Sequence, residues 1–200
     1  MRTEKASWKP PTESFAAVDP VRQVQVQSHA PVRMIPRLMA NDQQPETIDD
    51  QPASDEVWME EALRAAQRGL EIGEVPVGAV VVRNGQVVGR GWNRNISNCD
   101  PTAHAEIVAL REAAALVGNH RLEDCELFVT IEPCAMCAGA LVQARLQRLV
   151  YGAADPKAGA VHSVFEVLNH PALNHRMEVR GGLLAAKCAA LMQDFFKCRR

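Results

Sequence analysis

This chain of 200 residues has no long hydrophobic run, no excess of basic charge and no clear disulfide pattern. No apolar stretch approaches the roughly 18 residues that a membrane-spanning helix needs, so no membrane span is expected. Residues 1–15 contain basic residues, but no apolar segment follows them in the sequence, which argues against a secretory signal. The formal net charge of -2 at pH 7 excludes a generally basic nucleic-acid-binding protein, so any contact with nucleic acid must use a local patch.

The six cysteines do not resemble the framework of a small secreted protein. Only Cys134 and Cys137 stand at a spacing that is typical of metal ligands. The other four are expected to be core or surface thiols: Cys99, Cys125, Cys188 and Cys198. Free thiols in a chain of this size indicate a reducing compartment, so we predict a cytoplasmic location.

Residues 1–53 differ from the rest of the chain in composition. They hold seven of the twelve prolines, with many Gln and Ser residues between them. Such a segment buries too little apolar surface to fold by itself. We therefore predict a mostly disordered extension over 1–53 and a single domain over 54–200. One hypothesis is that Met39 is the natural start of the protein.

Hydrophobic periodicity and turn residues predict the first elements of this domain. Ser54 or Asp55 can cap a helix that ends near Gly73. Two apolar, β-branched runs follow, and the Asn84-Gly85 pair between them favours a type I′ hairpin turn. The prediction is a pair of antiparallel strands over 77–83 and 86–92.

The second half of the domain alternates strands and helices. Asp100 is predicted to cap a helix that has Pro101 at its first position and stops after Val117. Further helices are predicted over 134–144, 161–168 and 182–198, and further strands over 127–131, 146–151 and 175–179. Alternation of this kind is typical of a layered α/β domain.

Two short motifs carry the predicted chemistry. His104 and Glu106 form a His-x-Glu motif, and Cys134 and Cys137 belong to a Pro-Cys-x-x-Cys motif. One imidazole and two thiolates make three ligands for zinc, and the open fourth position is typical of a catalytic ion. Glu106 then remains available for general acid–base work. Together the motifs are typical of zinc-dependent nucleobase deaminases.

The spacing within each motif places the site at helix starts. Cys134 and Cys137 share one face of a predicted helix N-terminus, where the helix dipole favours thiolates. His104 and Glu106 lie about 200° apart around an ideal helix, so they converge only on a point ahead of its first turn. Two helix N-termini directed at one zinc ion satisfy both constraints.

Each motif also has a simpler explanation when it is taken alone. His-x-Glu is common at solvated helix starts, whereas Cys-x-x-Cys also occurs as a redox pair, as half of a structural zinc site or as buried core. Their joint occurrence in this order, with Pro133 before the first cysteine, favours the deaminase interpretation.

From about residue 57 onward the chain resembles the bacterial tRNA-specific adenosine deaminases of the TadA type, within the cytidine and deoxycytidylate deaminase superfamily. The similarity is carried by the two motifs and by the segments around them: residues 74–79, 91–93, 100–107, 130–140, 152–160, 168–171 and 174–175. The two motifs alone are shared with other deaminases, so the flanking segments are what resemble the tRNA-acting branch.

The resemblance implies a three-layer α/β/α cytidine-deaminase-like fold with a five-stranded mixed sheet. It implies one zinc ion per subunit, with Glu106 as the catalytic residue and with His104, Cys134 and Cys137 as ligands. It also implies a homodimer that binds the anticodon arm of tRNA. The implied reaction is hydrolytic deamination of the wobble adenosine of arginine tRNA, at anticodon position 34, to inosine.

Substrate contacts are implied by the same resemblance. Asn93 corresponds to an asparagine that contacts the target base. The remaining contacts correspond to a pocket segment and to a loop near the anticodon, namely Glu74, Val75 and Pro76 in the first and Asp155 and Lys157 in the second.

Three other functions remain open on the sequence. The main alternative is a free-base or nucleotide deaminase of the guanine or deoxycytidylate type, which would release ammonia from a free substrate. A catalytically silent zinc subunit that binds RNA is disfavoured because Glu106 is present. A redox or structural-zinc module is disfavoured because no fourth ligand stands at comparable spacing.

Overall fold

The structure is a computed structural model that describes residues 54–168 and 170–199. The extension predicted over 1–53 lies outside these residues, as do Asn169 and Arg200, so the predicted domain division stays a prediction. The helices of the described part are α1 (Asp55–Glu71), α2 (Ala105–Val117), α3 (Ala135–Ala144) and α4 (Ala185–Lys197). The strands are β1 (Gly78–Arg83), β2 (Gln86–Trp92), β3 (Cys125–Ile131), β4 (Arg148–Ala153) and β5 (Glu178–Gly181).

The five strands form one mixed sheet in the order β2-β1-β3-β4-β5. Strand β1 is antiparallel to β2 and β3, whereas β3, β4 and β5 are parallel. A parallel pair needs a crossover connection, which α3 supplies between β3 and β4. The predicted five-stranded mixed sheet is confirmed. None of the helices in the described residues is both long and apolar enough to cross a bilayer.

The alternating side chains of the strands divide the core into two layers. Ala79 and Val81 of β1 pack with α2 and α3, whereas Val80 and Val82 pack with α1 and α4. All four side chains are at most 2% exposed. The sheet therefore lies between two layers of helices, which confirms the predicted three-layer fold.

The predicted hairpin is confirmed as well. Asn84 and Gly85 have φ angles of 50° and 71°, as a type I′ turn requires. The two strands then pair from Arg83 opposite Gln86 to Gly78 opposite Trp92. Strand β2 ends at Trp92, so Asn93 is the first residue after this strand.

Helix α2 begins later than the sequence predicts. The prediction starts it at Asp100 and Pro101, but its first residue is Ala105. The Asp100 carboxylate instead accepts hydrogen bonds from the backbone N–H of Thr102 at 2.8 Å and from its hydroxyl at 2.7 Å. This local turn competes with helix formation, so His104 becomes the residue that precedes the helix.

The prediction of a helix over 161–168 is wrong, because these residues form turns and irregular structure. The backbone amides of Val164 and Phe165 both donate to the carbonyl oxygen of Gly159, at 2.9 and 3.2 Å. That carbonyl lies five and six residues back along the chain, whereas an α-helix requires four. The turn is therefore too wide to continue as a helix.

The last strands are present with shifted ends. Strand β4 begins at Arg148, since the amide of Leu146 donates to the carbonyl oxygen of Leu141 and completes the end of α3. Strand β5 begins at Glu178, and His175 lies before it with Nε2 2.7 Å from the carbonyl oxygen of Leu146. These shifts move both strands toward the C-terminus without changing their order in the sheet.

Candidate active site

The predicted metal ligands come together at the starts of two helices. His104 precedes α2 and Cys134 precedes α3, with extended backbone at φ -70° and -72°. Cys137 lies in the first turn of α3 and is fully buried. The sequence predicts that both motifs sit at helix N-termini, and the structure brings these two N-termini to one point.

The spacing of the three side chains fits a zinc ion. Nδ1 of His104 lies 3.6 Å from Sγ of Cys134 and 3.6 Å from Sγ of Cys137. A tetrahedral zinc ion about 2.3 Å from sulfur and about 2.0–2.1 Å from nitrogen holds these atoms about 3.6 Å apart. The three ligand atoms lie within 4.8 Å of one another, so a single ion can reach all of them.

The two thiols differ in acidity. The hydrogen bond from Cys137, together with the one from His104, lowers the pKa of Cys134 to about 3. The same bond between the sulfur atoms, together with burial, raises the pKa of Cys137. The contact with Cys134 also raises the pKa of His104. A cysteine binds a metal as its thiolate, so the low pKa of Cys134 suits it to that role at neutral pH.

Glu106 follows the histidine in the first turn of α2 and lines the same cavity. Its side chain is 3% exposed, and burial raises its pKa. A buried carboxyl group beside a set of predicted metal ligands is suited to proton transfer.

Asn93 connects the end of β2 to the start of α2. Its Oδ1 accepts a hydrogen bond from the backbone N–H of Ala105 at 2.9 Å. His104, the residue that precedes the helix, makes no capping hydrogen bond of its own. Asn93 thus satisfies one of the amide groups that a helix N-terminus leaves unpaired, and its Nδ2 donor is the part that a ligand can use.

A cavity of about 320 Å³ collects most of the predicted residues. Its wall includes His104, Glu106, Cys134, Asn93, Glu74, Val75 and Asp155. Pro76 is buried and does not line this cavity. Lys157 lines a neighbouring groove of about 520 Å³. The groove and the cavity share Ile131, Asp155 and Met192, so they are continuous.

Glu74 holds one wall of the cavity in place. It is 1% exposed, and its carboxylate accepts hydrogen bonds from the backbone N–H of Ser97 at 2.7 Å and of Ile96 at 3.3 Å. Burial alone would raise the pKa of Glu74, but these hydrogen bonds outweigh it and lower the pKa. Its implied contact with substrate stays a prediction, and the structure adds a role in fixing the loop after β2.

Glu132 is a second buried carboxylate in the cavity wall, and it is 2% exposed. It accepts hydrogen bonds from the backbone N–H of His162 at 2.8 Å and of Ser163 at 2.9 Å, and from the Ser163 hydroxyl. Burial alone would raise the pKa of Glu132, but these bonds hold it at about 2. The carboxylate therefore stays ionised and organises the loop after β4.

Several lining residues were missed by the sequence reasoning. Ile96 comes from the loop after β2, Ile131 from the end of β3 and Met192 from α4. Apolar residues of these types occur throughout the core, so nothing local distinguishes them. Glu132 carried a signal, because an acidic residue stands next to the cysteine motif.

The profile of the MafB19-like deaminase family matches residues 53–200. A curated tRNA-specific adenosine deaminase from Streptococcus pyogenes serotype M1 is 47% identical over 140 residues, which cover 70% of this chain and 82% of that protein. The chain is therefore similar to the family profile and to the streptococcal protein over almost the whole of the described domain.

Two solved structures are similar in fold and sequence. The first structure comes from biochemical and structural studies of A-to-I editing by tRNA:A34 deaminases at the wobble position of transfer RNA. It is 44% identical to this chain and superposes with a TM-score of 0.66. The match covers 68% of this chain and 98% of the chain in that structure. A guanine deaminase from Nitrosomonas europaea is 27% identical with a TM-score of 0.62, covering 75% of this chain and 90% of its own.

Proposed function

The chain belongs to the tRNA-specific adenosine deaminases, and from that premise we propose that it converts the wobble adenosine of an arginine tRNA to inosine. The reaction breaks the bond between C6 and the exocyclic amine of adenine and forms a bond between C6 and oxygen. It consumes one water molecule and releases one molecule of ammonia. The observation that carries the proposal is the cluster of His104, Cys134 and Cys137, of which His104 and Cys134 line the cavity that Glu106 and Asn93 also line.

We propose that His104, Cys134 and Cys137 hold one zinc ion per chain. When bound there, zinc would supply an activated water molecule at neutral pH by lowering the pKa of that water to about 7. The thiolate character of Cys134 and the spacing of about 3.6 Å between nitrogen and sulfur support this assignment.

Glu106 and Asn93 divide the remaining work. The Glu106 carboxylate takes up the two protons of the attacking water one after the other, and it delivers one to N1 of the ring and the other to the departing amine. Asn93 orients the base through Nδ2, since its Oδ1 is already bonded to Ala105. Because that bond ties Asn93 to α2, the base-orienting and proton-transferring residues keep a fixed separation.

A loop nucleotide suits this cavity better than a nucleotide in a duplex. Anticodon bases are unpaired, so extruding one of them costs little free energy. The volume of about 320 Å³ lies at the low end for small-molecule pockets, which suits a single nucleobase. The neighbouring groove with Lys157 and Asp155 then lies next to the flanking nucleotides.

The alternative substrates are not favoured. Identity is 44–47% with the tRNA-acting relatives and 27% with the guanine deaminase, over comparable parts of the chain. A free-base enzyme would act on guanine without any need for a continuous groove beside its cavity. Guanine and deoxycytidylate therefore serve as control substrates in the experiment below.

The test uses the purified full chain and an arginine tRNA anticodon stem-loop. Sequencing of the RNA after incubation should read the wobble adenosine as guanosine, and Glu106→Ala should abolish this change. Ammonia release should be absent with free adenosine, guanine and deoxycytidylate. Rapid ammonia release from free guanine, with the RNA unchanged, would overturn the proposal in favour of a free-base deaminase.

We also propose that the chain acts as a homodimer in the cytoplasm, where tRNA is found and free thiols persist. An apolar groove of about 400 Å³ runs between α2 and α3. Ile107 and Leu110 line it from α2, and Ala140 and Ala144 line it from α3. A second copy that packs there would remove this apolar surface from water.

Sedimentation velocity tests the homodimer. The full chain should sediment as a dimer, and Ile107→Glu should shift it to a monomer because the carboxylate would be buried in the groove. Val57→Glu is the matched control, since Val57 is 45% exposed on α1 in the other helical layer. A monomeric wild-type chain at micromolar concentration would contradict the proposal.

A further inference from the structure

The side-chain carboxylate of Glu132 accepts hydrogen bonds from both ends of the loop 155–163. One oxygen, Oε1, accepts the backbone N–H groups of Val161, His162 and Ser163 at 3.1, 2.8 and 2.9 Å. The other, Oε2, accepts the backbone N–H of Asp155 at 3.1 Å and the hydroxyl of Ser163. The two ends of the loop 155–163 are therefore joined through one side chain.

The same loop is joined to the turn that carries a metal ligand. Gly159 forms an isolated antiparallel bridge with Cys134. The backbone N–H of Ala160 donates to the carbonyl oxygen of Pro133 at 2.8 Å. Glu132, Pro133 and Cys134 are consecutive, so one three-residue segment holds the loop through both side-chain and backbone contacts.

Glycine at position 159 allows the close approach of the carboxylate. A Cβ atom at Gly159 would lie 2.4 Å from Oε2 of Glu132 and 2.6 Å from the carbonyl oxygen of Asp155. No side chain fits at that distance, so the loop backbone closes directly onto the carboxylate. The loop and Glu132 are complementary in shape as well as in hydrogen bonding.

The loop that Glu132 organises faces the proposed substrate. Asp155 and Ala158 line the cavity beside Asn93 and Glu106. Lys157 lines the neighbouring groove. The positions of these side chains depend on the loop backbone, and Glu132 supplies the acceptors for that backbone. Glu132 would therefore affect the contacts with RNA indirectly, by fixing the positions of Asp155, Lys157 and Ala158.

We propose that Glu132 is a positioning residue that presets the loop 155–163 for binding of the RNA substrate. The inference rests on the proposed function for its substrate, but the loop anchoring itself does not. A preset loop lowers the ordering cost of binding, so the effect falls on RNA affinity more than on the chemical step. The hydrogen bonds of the Glu132 side chain go to Asp155 and to residues 161–163, and none of them goes to Glu106 or to the three proposed metal ligands.

The converging groups explain why a carboxylate is required. All five groups that face Glu132 act as donors, and four of them are backbone N–H groups that cannot reverse their role. Glutamine has nearly the same shape, but it presents an NH2 group to two of these donors. Glu132→Gln therefore removes the anchor without removing side-chain volume.

The experiment compares the full-length wild-type chain with Glu132→Gln and with the matched control Glu126→Gln. Glu126 lies on β3, the strand that ends directly before Glu132, and its carboxylate pairs with Arg148 at 2.7 Å instead of with the loop. Amide hydrogen exchange is followed in peptides that span 155–163. Zinc content is measured, and KM and kcat are determined separately on the anticodon stem-loop.

Glu132→Gln should speed exchange in the loop at least about tenfold, raise KM about tenfold and leave kcat within about threefold. Zinc should stay at one per chain, and Glu126→Gln should behave as wild type in each readout. Unchanged exchange in 155–163 would overturn the proposal, and so would a loss of zinc or of kcat with KM unchanged. If the wild-type chain does not edit RNA, the exchange result still decides the anchoring role separately.

Ser163→Ala keeps the proposal testable if Glu132→Gln does not fold. It removes only the hydroxyl that donates to Oε2 and leaves the four backbone donors in place. Exchange in the loop and KM should both rise about threefold, with kcat and zinc unchanged. If neither exchange nor KM changes in this variant, the positioning role is refuted.

Discussion

The side chain of Asn93 and the backbone of Ala105 are joined by a hydrogen bond of 2.9 Å from the amide nitrogen of Ala105 to Oδ1 of Asn93. This bond links the end of an edge strand to the first residue of the helix that carries Glu106. It occupies Oδ1 of Asn93, so the proposed contact with the target base would use Nδ2. The two roles can be separated by substitution.

Asn93→Asp should retain the first role and lose the second. A carboxylate oxygen can still accept the Ala105 amide at a helix N-terminus, so thermal stability should stay within a few degrees of wild type. The donor to the base is lost, so kcat/KM on the stem-loop should fall about 100-fold. Asn93→Ala serves as the control, since it should also lower stability by about 1 kcal/mol. Wild-type activity in Asn93→Asp would contradict the assignment.

Metal binding and proton transfer should separate in the same way. Glu106→Gln should keep one zinc ion per chain while turnover falls at least about 1000-fold, because Glu106 is not among the three ligands. Cys137→Ser should lose zinc and activity together. Elemental analysis of the purified variants, combined with the RNA assay, measures both properties. Loss of zinc in Glu106→Gln would show that the carboxylate is a ligand.

Gly91 should be essential for the position of α2. A Cβ atom at Gly91 would lie 2.0 Å from the carbonyl oxygen of Ala105 and 2.6 Å from the backbone nitrogen of Ala109. Backbone atoms cannot move aside without shifting the helix, so Gly91→Ala should lower the free energy of unfolding by about 3 kcal/mol and weaken zinc binding. Urea denaturation and competition with a chelator test the two effects.

Gly139→Ala is the control for that prediction. Nothing lies within 4 Å of a Cβ atom at this helical position, so the substitution should be neutral or stabilise the chain by up to about 1 kcal/mol. Equal stability of the two variants would mean that α2 accommodates the methyl group without cost.

The ion pair between Asp55 and Arg148 should make stability depend on acid pH. Arg148 Nη1 donates to Asp55 Oδ1 at 2.9 Å, and both side chains are 18% exposed. The hydrogen bond from Arg148 outweighs burial and lowers the pKa of Asp55. A pKa that is lower in the folded state means that the stabilisation is complete above about pH 4 and is lost as the pH falls through the folded pKa.

Asp55→Asn should therefore lower the free energy of unfolding by about 2 kcal/mol at pH 7, and the difference from wild type should shrink below about pH 4. Urea denaturation at pH 7 and pH 3 measures both values. Asp124→Asn is the matched control, because its pair with Arg83 is 3.3 Å long and the aspartate is 71% exposed. The control should change stability by less than about 0.5 kcal/mol at either pH.

Local patterns in the sequence determined most elements of the fold. Asn84-Gly85 sufficed for the hairpin because a type I′ turn depends only on the φ angles of two adjacent residues. Gly118, with φ of 71°, ends α2 at the predicted residue for the same reason. The start of α2 was wrong, since the sequence alone cannot show that the Asp100 carboxylate bonds to Thr102 in place of a helix amide.

The sequence by itself predicts the motif residues His104, Glu106, Cys134 and Cys137, because the chemistry of a catalytic zinc site restricts residue type and spacing along the chain. Only the tertiary structure decided which residues complete the site. Met192 reaches the cavity from the last helix, and Glu132 binds a loop more than twenty residues away. Such contacts depend on how the sheet and its helices pack, and packing over long sequence separation leaves no local pattern to read.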